Sequence, residues 1–238
     1  MAACMTAAHA SHALPAPHTT VASLALPSVR VWPAPALCMN DHLAPLHGLV
    51  LAGGRSTRMG RDKARLRYGA RTQLQAAFDL LSPLVLECRV SVRADQRGEP
   101  LRAGFPQLVD ALDDIGPAAG LLAAHAHAPQ AAWLAVACDL PLLEASALQI
   151  LIGARAPGVA ALAFRSAHDG LPEPLCAVWE PAALQRLQAQ VSGRRHGLRS
   201  VLHGADVRLL PLPCAHALDN ANTPQDHARL RQRAGKRT

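Results

Sequence analysis

Gly48-Leu49-Val50-Leu51-Ala52 runs straight into Gly53-Gly54. A short apolar run closed by glycine reads as a strand buried on both faces, and such strands belong to parallel sheets covered by helices. The texture returns at Ala131-Ala132-Trp133-Leu134-Ala135-Val136-Ala137, which ends at Cys138-Asp139. Further strand patterns cover residues 85–92, 159–164, 175–179 and 207–212. Helical patterns fall between and after them, over 72–81, 116–127, 144–154, 181–190 and 224–233. The first helix puts Leu74, Ala77, Phe78 and Leu81 on one face, and Pro117 after Gly116 suits the opening turn of the second. This alternation predicts an α/β fold, a mostly parallel sheet with helices on both faces. Ligands of such sheets gather at the carboxyl ends of the strands, so the residues that follow each strand carry the functional information.

Composition limits the rest. Half of the 238 residues are hydrophobic, enough for a core, while aromatics make up only 3%, which leaves few rings for stacking nucleobases and argues against a nucleic-acid partner. The formal charge is +7, yet only Lys63 and Lys236 are lysines; the arginines are scattered, as an Arg-rich coding bias or a surface facing small polyanions would leave them. The six cysteines, at 4, 38, 88, 138, 176 and 214, have no metal-type spacing and read as buried thiols of a cytoplasmic protein. No run reaches the roughly 18 apolar residues of a membrane span. Residues 1–46 hold six of the 19 prolines and four of the 12 histidines but only Arg30 and Asp41 as charges, so they read as a disordered extension. Translation starting at Met39 is one expectation for it. Residues 47–233 form the expected domain and 234–238 a frayed tail.

Three stretches carry chemistry. The first is the glycine turn and its continuation, Leu51-Ala52-Gly53-Gly54-Arg55-Ser56-Thr57-Arg58-Met59-Gly60-Arg61-Asp62-Lys63. Successive amides in such a turn form an anion-binding concavity. It has neither the Gly-x-Gly-x-x-Gly of dinucleotide folds nor the Gly-Lys-Ser/Thr of P-loops. Lys63 stands out because lysine is so rare here; its ammonium is a compact charge suited to phosphate, the alternative being an exposed side chain. Arg58 is a second phosphate clamp or a surface arginine. The second stretch is Ala137-Cys138-Asp139-Leu140-Pro141. A carboxylate at the tip of so apolar a strand is costly unless paired or metal-bound, although it could also cap a helix before Pro141. The third, Asp219-Asn220-Ala221-Asn222-Thr223-Pro224-Gln225-Asp226, contains a good N-cap for the last helix.

In order, Leu-Ala-Gly-Gly-x-Ser-x-Arg-Met-Gly-x-Asp-Lys, Gly-Pro-x-x-Gly, Cys-Asp-x-Pro and Asn-x-Asn-Thr-Pro resemble the molybdenum cofactor guanylyltransferases, nucleotidyltransferases of Rossmann-like fold. The likeness covers about residues 47–229. It implies that Leu51, Ala52 and Gly53 line a guanine nucleotide, that Lys63 meets its phosphates, and that Asp110, with Asp113 as the alternative, recognises the nucleotide. It implies Mg²⁺ on Asp139, and Asn220 and Asn222 beside the pterin phosphate or the metal. Ser91 stands where the family often has asparagine, and Ala118 where leucine usually follows the Gly-Pro turn. Pro174-Leu175-Cys176-Ala177 corresponds to a strand that the family uses beside the pterin.

The implied reaction joins GTP to molybdopterin with loss of pyrophosphate, with Lys63, Arg58 and Asp139 as its catalytic groups. Transient contacts with molybdoenzymes or their chaperones, and no membrane partner, would follow. Three alternatives stay open: a cytidylyltransferase on the same pterin, a sugar-1-phosphate nucleotidylyltransferase, and a non-catalytic nucleotide-binding or cofactor-delivery protein.

Overall fold

The computed structural model describes residues 43–54, 62–112, 114–220 and 224–235. Its strands are β1 (Leu46–Leu51), β2 (Cys88–Val92), β3 (Gln107–Val109), β4 (Ala132–Ala137), β5 (Ala161–Arg165), β6 (Pro172–Trp179) and β7 (Val207–Leu210). The helices are α1 (Gln73–Leu81), α2 (Pro117–His127), α3 (Ala145–Gly153), α4 (Pro181–Ser192), α5 (Leu198–Val201) and α6 (Pro224–Gly235). The expected extension lies outside the described residues up to position 42, and so do residues 236–238 of the expected tail.

The strands make one sheet in the order β3-β2-β1-β4-β6-β5-β7. All neighbours pair in parallel except those of β6, which is antiparallel to both β4 and β5. The predicted α/β class and mostly parallel sheet are therefore what forms. The exception has a simple cause: only a short turn joins β5 to β6, whereas a parallel return needs a dozen or so residues of crossover.

Alternate residues of β1 and β4 face opposite layers. Leu46, Val50, Leu134 and Val136 join a core with Leu74, Leu81, Leu148 and Leu151 of α1 and α3. Leu49, Trp133 and Ala135 join a second core with Leu121 of α2, Leu184 of α4 and Leu198 of α5. Trp133, Leu134 and Leu49 are fully buried, each worth about 1.5–3 kcal/mol relative to exposure. Thr72 caps α1, its hydroxyl accepting from the Gln75 amide at 3.2 Å. A third, small cluster seats α6: Leu230 packs with Leu142, Leu66 and Tyr68.

β3 and α5 lie outside the strand and helix patterns of the sequence. β3 is a three-residue edge strand in which only Leu108 is buried, too short for periodicity to register. No helix among the described residues is long and apolar enough to cross a membrane.

Candidate active site

The register sets three strand tips level, with Leu51 opposite Ser91 on β2 and Ala137 on β4. The bonding continues past the strands: the Ala52 amide donates to Ser91 O and the Cys138 amide to Leu51 O, both at 3.2 Å. The chain leaves β1 for β2 and β3 on one side and returns to β4 on the other. The topological switch point thus lies between β1 and β4, where open α/β sheets form their ligand crevice. Gly53-Gly54 leaves one lip of it and Asp139 the other.

Lys63 reaches across. It opens a single 3₁₀ turn, Lys63–Arg65, that Asp62 caps by accepting from the Ala64 amide at 3.0 Å. Its Nζ donates to Asp139 Oδ2 at 2.7 Å. The two side chains are 21% and 13% exposed, so the pair is half-closed in protein yet open to a ligand. Just before Asp139, burial above all, then Asp139 and Asp62, push the Cys138 thiol up to about 12, so it offers no thiolate nucleophile.

Beside the glycine turn, the Ser91 hydroxyl donates to Asp110 Oδ1 at 2.8 Å, and the Asp110 amide donates to Val92 O at 2.8 Å. A Cβ on Gly53 would stand 3.1 Å from Asp110 Oδ2, so a glycine keeps this carboxylate against the turn. α2 comes down on the same tips. Gly116 adopts φ +63°, and a Cβ on Gly120 would lie 2.4 Å from Ser91 Oγ and 2.9 Å from Leu51 Cδ2. The Gly-Pro-x-x-Gly pattern thus serves a left-handed turn and a helix packed too closely for any side chain.

Leu51, Ala52, Gly53, Ser91 and Asp110 therefore share one end of the sheet, and Lys63 meets Asp139 at its centre. Asn220 is exposed on the loop entering α6, next to buried Asp219, whose carboxylate accepts from Arg233 Nη1 at 3.3 Å and lies 3.0 Å from His216 Nδ1. Arg58, Asn222, the alternative Asp113 and the Thr223 cap lie outside the described residues.

Three residues here escaped sequence reasoning. Arg102, with no exposed surface, donates to Ala52 O at 3.0 Å and to Asp62 Oδ2 at 2.7 Å. Burial opposes its charge, and Asp62 and Glu99 more than offset that, holding it above the ordinary arginine value. Arg93 donates to Gly53 O at 2.7 Å while its other nitrogens bind Asp95. Tyr68 packs its ring on His227, centroids 4.8 Å apart, and burial followed by Asp139 and Asp226 pushes its phenol up to about 12. Tyr68 thus ties the first turn of α6 to the neighbourhood of Asp139. Nothing in a one-dimensional pattern separates these arginines from surface ones.

Sheet order and switch point are those of an α/β fold with its ligand crevice between β1 and β4, and the family match below makes the class that of the nucleotidyltransferases. Molybdopterin-guanine dinucleotide biosynthesis protein A of Archaeoglobus fulgidus shares the fold at TM-score 0.67 and 23% identity, over 80% of this chain and 99% of that one. A family model described as the MobA-like NTP transferase domain matches residues 48–210, and the chain belongs to that family. A probable molybdenum cofactor guanylyltransferase of Opitutus terrae is 34% identical over 204 residues, 82% of this chain and 99% of that protein. The molybdenum cofactor biosynthesis bifunctional protein of Synechocystis is 34% identical over 187 residues, 78% of this chain. Those residues are 54% of the bifunctional protein, so this chain spans about half its length.

Proposed function

We propose that this chain transfers GMP from GTP to the terminal phosphate of molybdopterin, releasing pyrophosphate. The observation that carries the reading is the 2.7 Å contact between Lys63 Nζ and Asp139 Oδ2 at the switch point, beside Gly53-Gly54. The name of the Opitutus terrae relative supports guanylyl transfer.

The acceptor is a phosphate, anionic at neutral pH. One of its oxygens bonds to the α-phosphorus as the bond from that phosphorus to the bridging oxygen breaks, and pyrophosphate leaves with the electron pair. No strong protein base is needed, so rate must come from positioning and charge neutralisation. Lys63 and Arg58 offset charge on the departing phosphates. Leu51, Ala52 and Gly53 line the nucleotide, and the Asp110 carboxylate, steadied by Ser91, recognises it.

Mg²⁺ carried by the nucleotide fits Asp139. Such an ion takes one or two carboxylates and completes its shell with phosphate oxygens and water, and among the described residues no group of three or more metal-type side chains forms a cage for it. When bound, it neutralises phosphate charge. Asn220 and Asn222 serve the pterin phosphate or the same metal. The product would pass to molybdoenzymes or their chaperones in the cytoplasm, consistent with the buried thiols of Cys88, Cys138 and Cys176.

The test is competition: purified protein, molybdopterin, and GTP and CTP at equal concentration. The guanine dinucleotide should dominate; a cytosine product would reassign the nucleotide, and binding without pyrophosphate release would make the chain a carrier.

A further inference from the structure

Arg102 belongs to none of the motifs above and has no exposed surface. Its Nη2 donates to Ala52 O at 3.0 Å, and its Nη1 donates to Asp62 Oδ2 at 2.7 Å and also to Glu99. Ala52 and Asp62 bracket the glycine loop, so one guanidinium spans the neck of that loop. Asp62 meanwhile caps the turn that carries Lys63. Arg102 is itself fixed to the sheet, since its carbonyl accepts from Gln107 Nε2 of β3 at 2.8 Å.

From this geometry we infer that Arg102 is a positioning residue: it staples the two ends of the glycine loop and, through Asp62, aims the Lys63 ammonium at the crevice. A planar fork holds a backbone carbonyl and carboxylates in fixed, diverging directions, whereas a lysine offers three donors at a single point. Closing the neck before the ligand arrives lowers the ordering cost of binding. A loop held at one end only would have to order itself around each anion. The inference rests on the nucleotidyltransferase reading of the site and deepens it.

The test separates aiming from mere support. Inorganic tripolyphosphate is the probe, with affinity measured by calorimetry on the full chain, well below each variant's melting temperature. Arg102→Lys is made alone and together with Lys63→Ala. If Arg102 acts through Lys63, Arg102→Lys weakens binding about tenfold in the parent and less than about twofold in the Lys63→Ala background, the signature of coupled residues. Asp62→Asn, which breaks the same link from its other end, repeats the cycle should Arg102→Lys fold poorly, and the same non-additivity is expected.

Equal losses in both backgrounds, no loss in either, or no tripolyphosphate binding by the parent chain overturns the inference. Absence of guanylyl transfer with the cycle intact overturns the catalytic reading alone.

Discussion

Gly120→Ala probes the contact that seats α2 on the site. The new methyl would lie 2.4 Å from Ser91 Oγ and 2.9 Å from both Ser91 Cβ and Leu51 Cδ2, against an ordinary contact of 3.4 Å or more. Either α2 lifts by about 1 Å or Ser91 turns away and gives up its hydrogen bond to Asp110. Overpacking costs about 1–3 kcal/mol. A bond to a charged group contributes about 1.5–3 kcal/mol. Alanine recovers about 1 kcal/mol of helix propensity. The balance is a loss of about 0.5–2 kcal/mol where the bond is given up, and of no more than about 2 kcal/mol where α2 lifts, or up to roughly 4–8 °C in Tm for a domain of this size. Because the strain falls on Ser91 and Leu51, GTP affinity should drop with it. Gly153→Ala is the control: it sits at the end of α3 with nothing within 4 Å of its Cβ position, so its Tm should hold or rise. Paired thermal melts and GTP titrations read both. A Gly120→Ala protein as stable as its parent, with unchanged affinity, would refute the close approach of α2 to the strand tips.

Asp139→Ala should abolish turnover at saturating Mg²⁺ and GTP while far-UV circular dichroism stays that of the parent; full activity would exclude the proposed metal site. Tyr68 Oη is buried with no hydrogen-bond partner among the described residues, so Tyr68→Phe should leave the urea midpoint unchanged or raise stability by up to about 1 kcal/mol; a fall of more than about 0.5 kcal/mol would indicate a partner for that hydroxyl. The thiols of Cys88, Cys138 and Cys176 are each raised from 9.0 to about 12, chiefly by burial. The folded state therefore keeps protons that the unfolded chain releases: their contribution is complete below pH 9 and is lost as pH climbs from there toward 12. Urea midpoints measured from pH 7.5 to 10.5 should fall at the alkaline end, and the fall should be shallower in Cys138→Ala/Cys176→Ala; equal slopes would contradict the burial argument.

How far a sequence announces such a site depends on where the information resides. β1 and β4 are legible because strands buried on both faces need unbroken apolar runs, and their tips carry Gly53 and Asp139, residue types that an apolar core does not call for. Lys63 is legible through scarcity. The direction of β6 is not written in hydropathy, since burial is the same for either direction; it follows from the connection over residues 166–171, too brief for a crossover helix. Arg102 is illegible for a different reason. Two of its acceptors, Asp62 and Ala52, are 40 and 50 residues away, and a buried arginine is distinguished only by the carbonyl and carboxylates that surround it after folding. Tyr68 likewise gains its meaning from α6, which meets it only in three dimensions.

The most direct measurement follows two labels through one reaction, with GTP carrying radioactive phosphorus at either the α or the γ position and molybdopterin as acceptor. The account predicts α label in the pterin dinucleotide and γ label in released pyrophosphate. Appearance of γ label on the pterin, or retention of intact GTP by the protein with no pyrophosphate formed, would contradict it.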